Sequence, residues 1–259
     1  MPQNPPRVVI NADDFGYSWA VNEEIERALR KGRISSATLM ANGPAISQAV
    51  AISGQFPTAS FGIHLNLTEF APLSSPEALR RVGLIDGDGV FLNNLRSLRP
   101  SPSLLQACFE ELDAQIHSLQ ASGIQPSHLD SHHHIHTVAW LFPVIYALQK
   151  KHRIRKVRNT MNVYSLGSDR SPSLKLRIGK GLWQAMNAVC GSRFTQVFTA
   201  LHIFLENPNR KEFARARSIE LMCHPGQQGF EGETQELMRA DRPILDFPYR
   251  LCSYHAVFT

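Results

Sequence analysis

The chain is poor in cysteine, and no two cysteines stand close enough to suggest a metal knuckle or a redox motif. Only four occur among 259 residues, and they are widely separated: Cys108, Cys190, Cys223 and Cys252. Disulfide frameworks are typical of small secreted domains with densely placed cysteines. We therefore predict that these four are reduced, small core residues of a cytoplasmic protein.

Long hydrophobic runs are also missing. No stretch approaches the roughly 18 apolar residues of a membrane-spanning helix. The first six residues lead directly into the apolar stretch at 7–10, without the hydrophobic region of a signal peptide. We expect no membrane insertion, a cytoplasmic location and a flexible N-terminus over residues 1–6.

Positive charge is in modest excess, since 27 Lys and Arg stand against 22 Asp and Glu and give a formal net charge of +5. The basic residues are spread over 27–33, 150–158 and 170–180, mostly in stretches predicted to be helix surfaces. No zinc-finger, RNA-recognition or basic-zipper pattern accompanies them. The charge therefore predicts solvated helix faces, and we expect no nucleic-acid partner.

Apolar residues make up 43% of the chain, which is enough for a sizeable core. Their periodicity predicts strands alternating with helices. The predicted strands are 8–12, 36–41, 60–65, 127–130, 154–158 and 218–223; the predicted helices are one from residue 21 to a C-cap at Gly32, then 45–52, 104–119, 138–150 and 174–189. This alternation predicts one α/β domain over residues 1–259, with a mostly parallel sheet that the length favours closing into a barrel. The irregular stretch at 72–102 is longer than an ordinary connection, so it is predicted to carry binding function.

Polar side chains fall at or just after the C-terminal ends of several predicted strands: Asp13, Asp14, His64, the histidines around His132, Arg158 and His224. In α/β barrels and open α/β sheets this edge carries the functional site. Adjacent residues in a strand face opposite ways, so Asp13 and Asp14 could do different work, one on a metal and one on a proton. A lone Asp pair could equally supply a helix N-cap.

The segment 128–136 holds five of the 11 histidines. In an extended or turning segment His132, His134 and His136 alternate with His133, so one face could present two or three imidazoles. A catalytic metal needs only two or three protein ligands when water keeps the other positions. Any one of these histidines, like His64 or His224 alone, could instead be an ordinary hydrogen-bonded residue. The cluster as a whole makes a catalytic metal site the leading hypothesis.

Four segments together resemble the YdjC-like carbohydrate deacetylases, the family that includes chitooligosaccharide deacetylases. They are Asn-Ala-Asp-Asp-Phe-Gly at 11–16, Gly-Ile-His-Leu-Asn-Leu-Thr at 62–68, His-Leu-Asp-Ser-His-His-His-Ile-His at 128–136 and Glu-Leu-Met-Cys-His-Pro-Gly at 220–226. The resemblance implies a deformed TIM-like (β/α) barrel of the glycoside hydrolase/deacetylase type. It further implies a metal-dependent hydrolase, usually with magnesium, that removes acetyl from an N-acetylated sugar.

The same resemblance implies roles by position. The metal ligands would be Asp14, His64 and His132, the general base Asp13, and the histidine that protonates the leaving amine His224. Three further residues would support the site or contact the substrate: His134, His136 and Arg158, the arginine that would steady the catalytic carboxylate. The variable position within the histidine run would be His133, which is predicted not to be a ligand.

Two other functions use the same residues. A metal-dependent phosphoesterase or amidohydrolase could act on another bond, although such enzymes usually open with His-x-His on the first strand and use more carboxylates. A non-catalytic metal-dependent sugar-binding protein would keep the ligands and have no need of Asp13. One divalent ion is expected, with zinc, manganese or cobalt the natural choices for an Asp-His-His set by ligand softness. The expected partner is a small carbohydrate, and a homodimer is the default quaternary state.

Overall fold

The computed structural model describes residues 4–159, 174–207, 209–239 and 241–259. Its strands are β1 (Arg7–Phe15), β2 (Ser36–Leu39), β3 (Ser60–Leu65), β4 (Leu129–Ser131), β5 (Val197–Ala200), β6 (Ser218–Cys223) and β7 (Arg250–Leu251). Its helices are α1 (Trp19–Arg30), α2 (Ile46–Ser53), α3 (Pro76–Arg81), α4 (Pro102–Ala121), α5 (Phe142–His152), α6 (Leu174–Val189), α7 (Leu201–Glu206) and α8 (Glu231–Met238). Residues 1–3 of the expected flexible N-terminus, and part of the basic stretch at 170–180, lie outside the described residues.

The strands form one parallel sheet in the order β4-β3-β2-β1-β6-β5, with β7 beside the start of β1. Past β4, single parallel bridges join Leu129 to Val157 and Lys156 to Arg193, a few residues before β5 begins. The curved sheet is therefore a half-barrel whose gap is spanned by irregular chain, with helices around it. This confirms the predicted deformed α/β barrel.

The core follows from the apolar periodicity of the sequence. Strand β1 runs through the middle of the sheet, and Val8, Val9 and Ile10 are fully buried, as expected for a strand covered on both faces. Helix α1 buries Val21 and Ile25 on its inner side. Its N-cap is Ser18, whose hydroxyl accepts the backbone N–H of Val21 at 3.2 Å. The first strand is thus fixed on all sides, which holds its C-terminal end in place.

One predicted strand is wrong in the structure, and several short elements were not predicted. Residues 154–158 pair through one residue on each side, Val157 with Leu129 and Lys156 with Arg193. Two single bridges are too few to form a strand. Strands β5 and β7 and helices α7 and α8 were missed. They are two to eight residues long, and elements this short are stabilised by tertiary packing rather than by their own periodicity.

The irregular stretch at 72–102 is partly ordered by a buried carboxylate. It contains α3, and before that helix the fully buried Glu111 of α4 accepts backbone N–H groups from Leu73 at 3.0 Å and Ser74 at 2.7 Å. Gln115 donates to the same carboxylate at 2.7 Å. The loop is therefore tied to α4 by hydrogen bonds that no local pattern predicts.

All four cysteines lie in the described part of the chain and are free, with Cys108 and Cys223 buried and Cys190 and Cys252 partly exposed. The predicted core position is therefore confirmed for Cys108 and Cys223 and is wrong for Cys190 and Cys252. Among the described helices, none combines the length and the apolar character needed to cross a bilayer.

Candidate active site and metal centre

A cavity of about 470 Å³ opens at the C-terminal edge of the sheet. Six of the predicted site residues line it: Asp13, Asp14, His64, His132, His134 and His224. Arg158 and His136 are buried behind them. The strand ends therefore converge as the alternation of strands and helices predicted.

The two aspartates reach the same cavity because the end of β1 is bulged. The register between β1 and β2 shifts by one residue between Ala12 and Phe15, and Asp14 has a left-handed backbone with φ of 64°. A bulge interrupts the alternation of side chains and re-aims them. The expectation that Asp13 and Asp14 face opposite ways is therefore wrong, since both side chains line the cavity.

Asp14, His64 and His132 form a compact buried cluster. The Oδ1 atom of Asp14 lies 2.8 Å from His132 Nδ1 and 3.1 Å from His64 Nε2. The other carboxylate oxygen of Asp14 accepts a hydrogen bond from Gln227 Nε2 at 3.0 Å. One carboxylate oxygen and two imidazole nitrogens thus come within bonding range of a single point.

The orientation of His64 is set by Asp130, a residue to which sequence reasoning gave no role. His64 Nδ1 lies 2.7 Å from Asp130 Oδ1, and Thr38 donates its hydroxyl to the other oxygen of Asp130 at 3.0 Å. A carboxylate on the far nitrogen fixes the tautomer and direction of a metal-binding histidine. Asp130 stands two residues before His132, at the end of a predicted strand and within the histidine-rich segment. This position was the sequence signal that could have indicated a role for it.

Arg158 is fully buried and holds three carboxylates. Its two terminal nitrogens each lie 2.6 Å from one oxygen of Asp13, one of them lies 2.7 Å from Asp130 Oδ2, and its Nε lies 2.7 Å from Glu220 Oε1. Tyr254 donates its hydroxyl to the remaining oxygen of Glu220. A charged residue inside the buried strand β6 was the only sequence signal for Glu220, and Tyr254 had none.

This arrangement keeps Asp13 ionised. Burial by itself raises the pKa of Asp13, but the charge and hydrogen bonds of Arg158 lower it well below its usual range. Asn11 adds a hydrogen bond to Asp13 Oδ1 at 2.9 Å. Asp13 is thus a charged, fixed carboxylate beside the cluster of Asp14, His64 and His132.

His224 also lines the cavity, and its backbone is held by Glu233 of α8. The backbone N–H of His224 donates to Glu233 Oε2 at 2.7 Å, and its Nδ1 lies 3.6 Å from the same oxygen. The ring also packs on Phe230, with centroids 4.3 Å apart. Burial lowers the pKa of His224, but Glu233, Asp13 and Asp14 raise it above its usual value overall. Sequence reasoning missed Glu233 because α8 was not predicted.

The histidine run does not alternate as a strand. It forms a 3-10 turn in which His133 and His134 have left-handed backbones, with φ of 49° and 53°. His134 lines the cavity, and burial lowers its pKa to about 3. His136 lies behind Ser131, whose hydroxyl is 2.5 Å from its Nδ1. The turn therefore brings His132, His133 and His134 to the cavity and leaves His136 behind it, so two of the three alternating histidines share the cavity as predicted.

The residues present fit a divalent cation. Two imidazoles and one carboxylate converge, and Asp130 supports one imidazole from behind, which is the common arrangement at protein metal sites. Burial lowers the pKa of His64, but Asp130 and Asp13 raise it to about 10. The surroundings therefore favour positive charge at this point.

Three comparisons place the chain among known proteins. The sequence profile of the family described as YdjC-like protein matches residues 7–246. A carbohydrate deacetylase of Geobacillus stearothermophilus is 35% identical over 213 residues, covering 74% of this chain and 82% of that protein. A carbohydrate deacetylase of Brevibacillus brevis is 37% identical over 152 residues, covering 57% of each, so the match spans little more than half of that relative.

A crystal structure from Enterococcus faecalis V583, described as a cellobiose-phosphate cleavage protein, superposes with a TM-score of 0.76 at 24% identity. It covers 98% of this chain and 99% of that one, and it supports the fold alone. The chain defines an α/β half-barrel with an Asp-His-His cluster at the C-terminal edge of its sheet. It belongs to the YdjC-like family, which confirms the resemblance seen in the sequence and, at the level of the family, the prediction of an enzyme.

Proposed function

We propose that this protein is a metal-dependent hydrolase that removes the acetyl group from an N-acetylated sugar, a chitobiose-like oligosaccharide or a related amino sugar. The observation that carries the proposal is the arrangement of three groups around one cavity. These are the Asp14, His64 and His132 cluster, the Asp13 carboxylate fixed by Arg158, and the imidazole of His224, whose backbone N–H donates to Glu233. The names of the two deacetylase relatives support the choice of substrate class.

Amide hydrolysis is difficult because the amide carbonyl is a poor electrophile and water is a poor nucleophile. A divalent ion held by Asp14, His64 and His132 would lower the pKa of a bound water and stabilise negative charge on the carbonyl oxygen. The family resemblance indicates magnesium, whereas two imidazole ligands favour zinc, manganese or cobalt by ligand type. Adding metals back singly to metal-stripped protein and measuring acetate release would identify the ion that supports turnover.

Asp13 is placed to accept a proton from the attacking water. The bonds from Arg158 keep it ionised and hold it still, and carboxylate oxygens have lone pairs beyond those that Arg158 occupies. The water oxygen forms a bond to the acetyl carbon as its proton passes to Asp13. The role of Arg158 is thus to position the base and preserve its charge.

His224 is placed to protonate the leaving nitrogen. Its raised pKa favours the imidazolium form, and the carboxylate of Glu233, which lies 3.6 Å from its Nδ1, would stabilise that charge. When the bond between carbon and nitrogen breaks, a proton from His224 gives a neutral amine, and the other product is the carboxylic acid, which becomes acetate when its proton passes to solvent. Asp13 then releases its proton to solvent and His224 regains one from it. General acid and base pairs of this kind contribute about 10²–10⁴-fold each.

The first experiment measures acetate release from N,N′-diacetylchitobiose by metal-stripped protein, with magnesium, zinc, manganese or cobalt added back singly. We expect at least one metal to restore release, and Asp13→Asn to reduce it at least a hundredfold while metal binding is retained. Asp113→Asn is the matched control, because Asp113 contacts Lys151 and His152 between α4 and α5 and does not line the cavity. If wild type binds metal and releases no acetate from this or other N-acetyl amino sugars, the proposal fails and a phosphoesterase or a sugar-binding protein becomes the better interpretation.

The cytoplasmic location and the homodimer stay predictions.

A further inference from the structure

A second group of metal-binding side chains lies beside the first, towards the outside of the cavity. It consists of Glu69, His132 and His133. The Oε1 atom of Glu69 lies 3.4 Å from His132 Nε2 and 3.8 Å from His133 Nε2. His132 is only 8% exposed, and its Nε2 has no hydrogen-bond partner among the described residues.

The hydrogen-bond network fixes the tautomer of His133. Asn66 Oδ1 accepts the backbone N–H groups of Thr68 and Glu69, so this atom is an acceptor. The Thr68 hydroxyl, 3.0 Å away, must donate to it. The same hydroxyl oxygen must then accept from His133 Nδ1, which lies 3.0 Å away. The neutral ring therefore carries its hydrogen on Nδ1 and presents the lone pair of Nε2 to Glu69.

The same reasoning applies to His132. Its Nδ1 lies 2.8 Å from Asp14 Oδ1, and an ionised carboxylate can only accept. Nδ1 of His132 therefore carries a hydrogen. Burial lowers the pKa of His132, but Asp14 and Glu69 raise it above its usual value, so a cation at Nε2 would take the place of a proton there. Glu69 Oε1 and the Nε2 atoms of His132 and His133 are the three atoms that such a cation would meet.

Their spacing is close to that of ligands around one ion: Glu69 Oε1 lies 3.4 Å from His132 Nε2 and, somewhat farther, 3.8 Å from His133 Nε2. Two ligands of a tetrahedral zinc, bound at about 2.0–2.1 Å each, lie about 3.3 Å apart. The left-handed backbone of His133 brings its ring against that of His132, with centroids 4.1 Å apart. Backbone strain of this kind costs about 1–3 kcal/mol and persists where the surroundings require it.

We propose that Glu69, His132 and His133 form a second divalent-cation site, suited to zinc or cobalt(II), that shares His132 with the Asp14 and His64 pair. His133 is thus a ligand of this outer site, while its predicted absence from the inner set stands. A neutral imidazole has a single lone-pair nitrogen, so the outer and inner sites compete for His132. The inner site is part of the proposed function, so the competition for His132 rests on that proposal. The outer site does not depend on it.

The test isolates the outer site by disabling the inner one. Full-length His64→Asn protein is titrated with zinc by equilibrium dialysis, and cobalt(II) absorption is recorded as a spectroscopic check of imidazole ligation. We expect one zinc per chain. We expect added His133→Asn or Glu69→Gln to weaken that zinc at least tenfold and to change the cobalt spectrum.

A matched control excludes binding elsewhere. Asp113, His117 and His152 form another group with metal-binding side chains between α4 and α5, so His64→Asn/His117→Asn is measured in parallel and should bind zinc as His64→Asn does. If His64→Asn is misfolded by circular dichroism, Asp14→Asn serves as the background. The proposal is overturned if the folded background binds no zinc, or if its zinc affinity is unchanged by both His133→Asn and Glu69→Gln. Since zinc content is read without turnover, failure to release acetate would leave this result intact.

Discussion

Arg158 clamps Asp13 with both terminal nitrogens, each 2.6 Å from one carboxylate oxygen, across 145 residues of sequence. The same guanidinium also contacts Asp130, which orients His64, and Glu220, which Tyr254 holds from the other side. One buried cation therefore contacts both the proposed base, Asp13, and the carboxylate that orients His64 in the proposed metal site.

Replacing Arg158 should damage both stability and activity. Arg158→Met leaves the buried carboxylates of Asp13, Asp130 and Glu220 without their cation, and breaking a buried ion pair in this way costs about 3–5 kcal/mol. Arg158→Lys keeps the charge but cannot make the two-pronged contact with Asp13. We expect Arg158→Lys to fold and to lose at least tenfold in kcat. Urea unfolding and acetate release measure the two effects.

The control for this change is Arg27→Met, which removes an exposed pair with Glu24 on α1. Exposed pairs are worth about 1 kcal/mol or less. If Arg158→Met and Arg27→Met unfolded at the same urea concentration, the view of Arg158 as the cation that stabilises three carboxylates would be wrong.

Removing the charge of Glu233 should shift the pH dependence of turnover. His224 must be protonated to act as the acid, so activity falls as pH rises through its pKa. Burial lowers this pKa, and the contact with Glu233 raises it. In Glu233→Gln the raising effect is lost, so we expect the alkaline limb of the pH profile to move about one unit towards lower pH.

The exposed Glu231 on the same helix offers a matched comparison for that shift. Glu231→Gln removes the same charge at a position fully open to solvent, where water screens its field. Its profile should coincide with that of wild type. An unmoved alkaline limb in Glu233→Gln would assign the proton donor to another group.

The strand that carries His64 leaves no room for a side chain at Gly62. Gly62 lies in β3 two residues before His64, and a Cβ added there would come within 2.5 Å of Cε1 in the buried His128 ring. That ring is stacked on Tyr254 at 3.6 Å between centroids and has little room to move. We expect Gly62→Ala to lower the free energy of unfolding by about 1–3 kcal/mol.

Gly87→Ala provides the reference, because nothing lies within 4 Å of the Cβ it would add and its φ is not positive. Thermal unfolding of both variants is compared with wild type. A Gly62→Ala protein as stable as Gly87→Ala would show that the His128 ring can yield, contrary to the packing described.

The sequence by itself determined the class of fold and the edge at which the site forms. Apolar periodicity is a local property, and it was enough to place β1, β3, β6 and α1 and to put polar residues at their C-terminal ends. Strands connected by helices run parallel, so residues such as Asp14, His64 and His132 were bound to meet at one edge.

Tertiary structure decided which groups touch and in what geometry. The bulge at Asp14 depends on the register between β1 and β2, and the partners of Arg158 come from strands far apart in the chain. Glu233 reaches His224 from a helix too short to be stable by itself. These pairings depend on how packed elements bring distant residues together, and no local pattern of residues records that.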